Sequence, residues 1–349
     1  MYLMRYHDIG PLIGRHPTVG RSSLIQGGGV KADGIERDVR YLAAHGRAVG
    51  SHGHERARAY VVDRFAALGV TPYRGQFVHE YAPDFANVLG VLAGDSETIR
   101  APIVIGAHYD TYGDAPGADD NATGVAILLY LAEALRSVPH QRDMVLAAFD
   151  AEESPHGFTP LMGSNAFFEQ QGGEAAACAI VFDIVGHDFP IPVRKRAIVV
   201  TGAESHPDLA TALEQIGQPK GLHVLVAHSK YVTSGDAADL SDYHVFRAHQ
   251  RPFLFLSAGH WPRYHMPTDT PDRLDFGKVR AVAEYVLRIL SELDDRPLDP
   301  DRPAEDTLAL ELQTIRAVLG PLGLVSLVML RGRSDLDRFA EWLRGRFGI

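Results

Sequence analysis

Cysteine is almost missing from this chain. Cys178 stands alone among 349 residues, so no internal disulfide is possible and cysteine usage does not define a redox compartment. Its neighbours, from Ala175 to Ile180, are small and apolar, which suits a buried, inert thiol and not a nucleophile. An excess of basic charge is missing too. Lys and Arg number 34 against 44 Asp and Glu, and the formal net charge of -10 argues against nucleic acid as the main partner. No apolar run is long enough for a membrane span: the most apolar stretch, Ala317 to Leu330, is short and carries Pro321. Met1 to Gly20 includes Arg5, His7, Asp8 and Arg15 and lacks the apolar centre of a signal peptide. Repeats and low-complexity segments are absent as well. Together these absences leave a cytoplasmic protein, free of membrane and nucleic acid, as the expectation.

What is present suits a large α/β core. Hydrophobic residues make up 46% of the chain. Residues 33–69 read as two helices, the second with Ala57, Tyr60, Val61, Phe65 and Leu68 on one face and a stop at Gly69. Beyond Val88 come short apolar runs suited to buried strands: Ile103–Ile105, Met144–Phe149, Ile180–Phe182, Ile198–Val200 and Phe253–Leu256. A helix with Val125, Leu128, Leu129, Ala132 and Leu135 in register lies between the first two. Another follows at Val279, Val282, Val286, Ile289, Leu290 and Leu293. Alternation of this kind implies a mixed, mainly parallel central sheet with helices on both faces, a three-layer sandwich. The proline-rich Asp299–Pro303 reads as a linker. It divides the main domain, residues 1–298, from a C-terminal helical appendage, residues 299–349, with helices near 306–319 and 334–347. That appendage is a possible route to a homo-oligomer.

Acids and histidines fall directly after the strand-like runs. His108 and Asp110 follow Ile103–Ile105, Glu152 and Glu153 follow Phe149, and Asp183 follows Phe182. In an open parallel sheet the ligand crevice lies beyond the carboxyl ends of the strands, so three strands point these residues to one place. Two loops add candidates. Gly117–Gly124 holds Asp119, Asp120 and Asn121 just before a helix, where an N-cap alone explains one acid but not both. Tyr264–Pro271 holds His265, which is otherwise an exposed histidine in a proline-punctuated turn.

With these motifs in this order, the chain resembles the two-zinc aminopeptidase family that includes bacterial leucyl aminopeptidases, glutamate carboxypeptidase and glutaminyl cyclases. The resemblance rests on Gly106–Asp110, Ala118–Gly124, Ala151–Glu153, Phe182–Gly186 and Tyr264–His265, and it runs from about Gly50 to Leu293. It implies the phosphorylase/hydrolase-like fold of zinc exopeptidases. By resemblance, His108 and Asp183 hold one Zn2+, Glu153 and His265 hold the second, and Asp119 bridges them. Imidazole and carboxylate suit zinc without any thiolate. Asp110 then orients His108 through its other ring nitrogen. Glu152 is the general base that takes a proton from a metal-activated water, and Tyr264 donates to the oxyanion. Asp242 resembles a family position that shapes the pocket, and Trp261 is placed at the entrance. The insertion Ser154–Pro160 is placed over the site, while His187 is not counted as a ligand.

The function expected is therefore a zinc-dependent aminopeptidase that takes peptides with a free N-terminus. A glutaminyl-peptide cyclotransferase is the first rival, and Tyr264 stands where those enzymes typically have tryptophan. A carboxypeptidase for acidic dipeptides finds no support in an acidic chain, and another amidohydrolase on the same fold is a further alternative. A binding-only descendant would have lost ligands, whereas all five matched positions are filled. A magnesium phosphatase would not need the two histidines.

Overall fold

The computed structural model describes residues 33–98, 100–188, 195–231, 240–299, 302–327 and 330–347. The reading of Met1–Gly20 lies outside these residues. Two helices come first, α1 (Asp33–Leu42) and α2 (His52–Ala67). The Ser51 hydroxyl starts α2 by accepting from the His54 N–H at 3.1 Å, and Gly69 follows its end at φ 68. Ala57, Val61 and Phe65, four residues apart, are its buried face.

A nine-stranded sheet follows. Its strands are β1 (Thr71–Pro72), β2 (Val78–Ala82), β3 (Phe85–Leu92), β4 (Ile103–His108), β5 (Met144–Phe149), β6 (Cys178–Phe182), β7 (Ala197–Thr201), β8 (His223–Val226) and β9 (Phe253–Ser257). They run in the order β1-β3-β5-β4-β6-β9-β7-β8, with β2 also on β3. The four central strands, β5, β4, β6 and β9, are mutually parallel, and the antiparallel pairs flank them. Every residue of β4, β5, β6 and β9 is buried, which is why these segments read as continuous apolar runs.

Strand alternation divides the core between the two faces. Ile103, Ile105 and Ala107 of β4 join a large cluster with α1, α2, α3 (Thr123–Leu135), α5 (Pro207–Ile216) and α7 (Phe276–Asp294). Val104 points the other way, to Phe149, Phe167 and Phe246 beside α4 (Gly163–Gln170) and α6 (His244–Ala248). Cys178 is fully buried, and burial pushes its thiol up to about 12, as an inert core residue requires.

The C-terminal helices α8 (Leu308–Leu327) and α9 (Arg333–Phe347) dock on the same chain at β8. Leu312, Ile315, Leu330 and Leu336 pack on Leu225 and Tyr231, and the Val226 N–H donates to Thr314 Oγ1 at 3.0 Å. Arg333 reaches both oxygens of buried Glu311 at 2.7 Å. The appendage thereby covers a sheet edge that would otherwise stand open. Among the described residues no helix is long and apolar enough to cross a membrane.

Candidate metal centre

The central parallel strands deliver their chemistry at one rim. β4 ends on His108, β5 leads into Asp150–Glu153, β6 leads into Asp183, and β9 leads through a loop to Tyr264 and His265. Two groups of side chains meet there. His108, Asp120 and Asp183 form one, and Asp120, Glu153 and His265 form the other, with the ligand atoms of each within 4.8 Å of one another. Asp120 belongs to both. Its Oδ1 lies 3.3 Å from His108 Nε2 and its Oδ2 lies 3.4 Å from His265 Nε2. Asp183 Oδ1 is 3.4 Å from His108 Nε2, and Glu153 Oε2 is 2.9 Å from His265 Nε2.

Asp119, expected as the shared carboxylate, is not at that position. Its side chain turns to the opposite side of the loop. There it accepts from the Gly186 N–H at 2.6 Å, the His187 N–H at 3.1 Å and Thr123 Oγ1 at 3.3 Å, and it lies 2.7 Å from His187 Nδ1. The reason lies in the backbone. Asp120 (φ -110, ψ 86) and Asn121 (φ -131, ψ 43) are not helical, so neighbouring side chains diverge, one to the metal groups and one to the β6 loop. Asp269 fixes the arrangement by accepting from the backbone N–H of both Asp119 and Asp120. His187 therefore braces the centre through Asp119 and is not a member of either ligand group.

The polar atoms have the pattern expected of a metal site. His108 Nδ1 and Nε2, Asp183 Oδ1 and His265 Nε2 are buried without a hydrogen-bond partner among the described residues. Leaving such atoms unsatisfied is costly, and a cation removes the cost. Nine carboxyls are buried around this rim (Asp110, Asp119, Asp120, Asp150, Glu152, Glu153, Asp183, Asp242 and Asp269), and the buried permanent cations beside them are Arg47 and Lys278. Burial and Asp120 push Glu153 up to about 8, against the pull of His265 and His108. Burial works against protonation of His265, but its contacts with Asp120 and Glu153 raise it to about 9. Shared protons of this kind mark a cluster short of positive charge.

Backbone strain is found here as well. Ala151 (φ 56), Ile184 (φ 52) and His265 (φ 59) lie in the left-handed region, one on each of three ligand loops. Non-glycine residues held there cost about 1–3 kcal/mol each and gather at functional sites.

Glu152 lies beside the ligand groups without belonging to either, its Oε2 3.9 Å from His108 Nε2. Burial above all, with Glu153, Asp183 and Asp242 close by, pushes it well above the ordinary glutamate value despite the pull of His108. Asp110 accepts from the backbone N–H of Glu152 and Glu153, each at 3.1 Å, and its Oδ1 is 3.4 Å from His108 Nδ1. It thus braces two loops at once. Tyr264 stacks on His265 at 3.7 Å and on His260 at 4.1 Å, and Tyr112 covers the other face of His265 at 4.3 Å. Asp242 is fully buried, with neither oxygen hydrogen-bonded among the described residues. Trp261 stacks on His187 and lines a cavity of about 440 Å³ with Asp188, Arg273 and Leu274. The Ser154–Pro160 insertion folds back on the glutamates through the His156 and Gly157 N–H groups, both donating to the Glu153 carbonyl.

Several supporting residues carried no sequence signal. Asp150, at the start of the glutamate loop, pairs with buried His54 at 2.6 Å and accepts from the Ala86 N–H at 2.8 Å. Asp269 sits in a motif that reads as a turn. Only a partner on a distant loop identifies either one.

The chain thus has an α/β fold with a buried cluster of carboxylates and imidazoles, all of them groups able to bind a metal ion, at the carboxyl rim of its parallel sheet. Peptidase family M28 matches residues 87–290, and the chain belongs to that family. It is similar to Escherichia coli YfbL, 26% identical over 290 residues, covering 73% of this chain and 86% of that protein. It is also similar to Bacillus subtilis aminopeptidase YwaD, 24% identical over 59% of this chain but only 44% of that protein. In three dimensions it resembles the LapA aminopeptidase of Legionella pneumophila, with a TM-score of 0.64 at 17% identity over 85% of this chain and 80% of that one. It likewise resembles a glutaminyl cyclase of Bacteroides thetaiotaomicron, with a TM-score of 0.57 at 19% identity over 74% of this chain and 97% of that one. The two structural likenesses show the fold alone.

Proposed function

We propose that the chain is a zinc-dependent aminopeptidase with two zinc ions per site, held by His108 and Asp183 on one side and by Glu153 and His265 on the other. Asp120 is the shared ligand. One observation carries this reading: the two oxygens of Asp120 face different histidines, each of which also has a second carboxylate within reach. When bound, the zinc pair supplies Lewis acidity and a lowered water pKa.

The remaining work falls to the chain. Glu152, raised above the ordinary glutamate value and outside both ligand groups, takes a proton from the attacking water and returns it to the leaving amine. Tyr264 faces the carboxylate cluster, and its phenol is kept protonated by burial and by Asp120, Glu153 and Glu152, so it donates to the developing oxyanion. Asp110 keeps the His108 ring and the glutamate loop in register. The substrate is a peptide with a free N-terminus, as the aminopeptidase names of similar proteins suggest.

A second reading, glutaminyl cyclisation, is favoured by the structural likeness to cyclases. Zinc analysis on the purified chain, with aminoacyl reporter amides, N-blocked peptides and an N-terminal glutamine peptide as substrates, decides between them. Close to two zincs and cleavage of unblocked substrates only is the expected result. One zinc with cyclisation of the glutamine peptide would replace the assignment.

A further inference from the structure

Arg47 is the largest fully buried side chain among the described residues, only 1% exposed. Among the described residues its guanidinium touches no carboxylate. It donates instead to four backbone carbonyls: Tyr109 at 2.8 Å, Leu42 at 3.1 Å, Pro116 at 2.6 Å and Gly117 at 2.9 Å. Its own backbone N–H donates to Thr111 Oγ1 at 2.6 Å. These partners are not scattered. Tyr109 and Thr111 flank Asp110 in the loop after His108, while Pro116 and Gly117 lead into Asp119 and Asp120. One side chain thus ties the segment that supplies His108 to the segment that supplies Asp120, and fastens both to the end of α1.

We propose that Arg47 is a positioning residue for metal binding, holding the His108 and Asp120 segments at ligand spacing before any metal arrives. This inference rests on the two-zinc reading above. Two features separate it from ordinary loop packing. A buried cation with only neutral acceptors is expensive unless nearby negative charge compensates it, and Asp110, Asp120, Asp269 and Glu153 act on Arg47 in that sense. Its charge therefore belongs to the acid cluster, where Lys278 is the other buried permanent cation; Arg142, also buried, instead donates to the Ala101, Arg296 and Pro297 carbonyls. Second, four carbonyls in different directions need the planar fork of arginine; the compact ammonium of lysine has three donors at one point and cannot span them.

The test uses the full chain and Arg47→Lys, which keeps the charge and loses the fork. Zinc release to a chelator is followed, together with the melting temperature of zinc-free and zinc-loaded protein. Groups that orient metal ligands typically alter metal affinity by about 10–100-fold, so release roughly tenfold faster is expected, with a smaller gain in melting temperature on adding zinc. A purely structural clamp would lower both melting temperatures equally and leave the zinc-dependent gain untouched. A folded Arg47→Lys protein that releases zinc at the parent rate overturns the proposal. Should that variant not fold, Thr111→Val, which removes the 2.6 Å acceptor of the Arg47 N–H together with a 3.3 Å donor to the Gly113 carbonyl, decides: faster zinc release supports the role and parent-like release overturns it. A parent chain that retains no zinc would sink the two-zinc reading itself, and this inference with it. Two zincs in the parent with unaltered variants sink only the role of Arg47.

Discussion

Neighbouring acids with opposite duties make the sharpest test of the centre. Asp119→Asn and Asp120→Asn remove one charge each, one position apart, with almost no change in volume. Asp119 accepts two backbone N–H groups, a threonine hydroxyl and the contact from His187, all of them buried. Orphaning a buried partner of a charged acceptor costs about 1–3 kcal/mol. Asparagine keeps one accepting oxygen, so Asp119→Asn should lower the unfolding free energy by about 3 kcal/mol while zinc content stays at the parent level. Asp120 makes no such backbone contacts with its side chain among the described residues: its oxygens face His108 Nε2 and His265 Nε2, neither of them hydrogen-bonded there. Burial works against the charge of Asp120, but His108 and His265 hold it below the ordinary aspartate value, so Asp120→Asn should cost the zinc-free chain stability as well; unlike Asp119→Asn, it should also lose both metals. Zinc per chain after dialysis and urea unfolding of the zinc-free proteins measure the two effects separately. The reverse pattern, with Asp119→Asn folded and empty and Asp120→Asn loaded, would refute the reasoning.

Three further expectations follow from the same geometry. In the zinc-free chain, Glu153 near 8 and His265 near 9 are both raised. The contribution of His265 to stability is complete below its unfolded value of about 6.5 and is lost as pH rises through 9, and Glu153 adds a loss of the same sign from about 4.5 upward. The gain in melting temperature on zinc addition should therefore grow between pH 6 and about 9, with protons released on binding, and a flat profile in a pH-stat titration would contradict it. Lys278, fully buried with its Nζ on the His187 carbonyl, is pushed down by burial to about 8. The cost of its charge is complete below pH 8 and relieved toward 10.5, so the parent should gain up to about 3 kcal/mol over Lys278→Met across that window, and parallel urea curves would show the premise wrong. Gly53→Ala would place a methyl against the Gly46 carbonyl oxygen, next to Arg47. A destabilisation of about 1–3 kcal/mol is expected even though alanine favours helix, and a more stable variant would mean that the α2 entry is looser than described.

The strands that carry the chemistry were legible because they are buried on both faces. Ile103–His108 and Met144–Phe149 have no polar alternation to blur them, and each ends in its acid or histidine. Of the flanking strands, β7 was legible as Ile198–Val200, but β1, β2 and β8 were not. β2 is partly exposed and β8 has a mixed pattern, and β1 is two residues long, so only pairing with β3 defines it. Of the centre, the sequence shows which residue types leave which strands. It cannot show how a loop turns between two adjacent aspartates. Asp119 and Asp120 have the same local chemistry, and the rule that acids suit a helix N-terminus favours neither.

That choice is made by partners remote in the chain. Gly186 and His187 claim Asp119 across more than sixty positions, and Asp269 pins both backbone N–H groups from a loop that reads as a proline turn. Gly186 has to be a glycine for this to work, because a methyl there would press on Asp119 Oδ1 at 2.9 Å and on Thr123 Cγ2 at 3.0 Å. The same logic explains why Ala151, Ile184 and His265 sit at positive φ although none is a glycine. Local preference opposes each of these conformations, and only packing and hydrogen bonds from elsewhere hold them. A site assembled against local preference is one that local sequence patterns misplace by a residue, and Asp119 was misplaced by one.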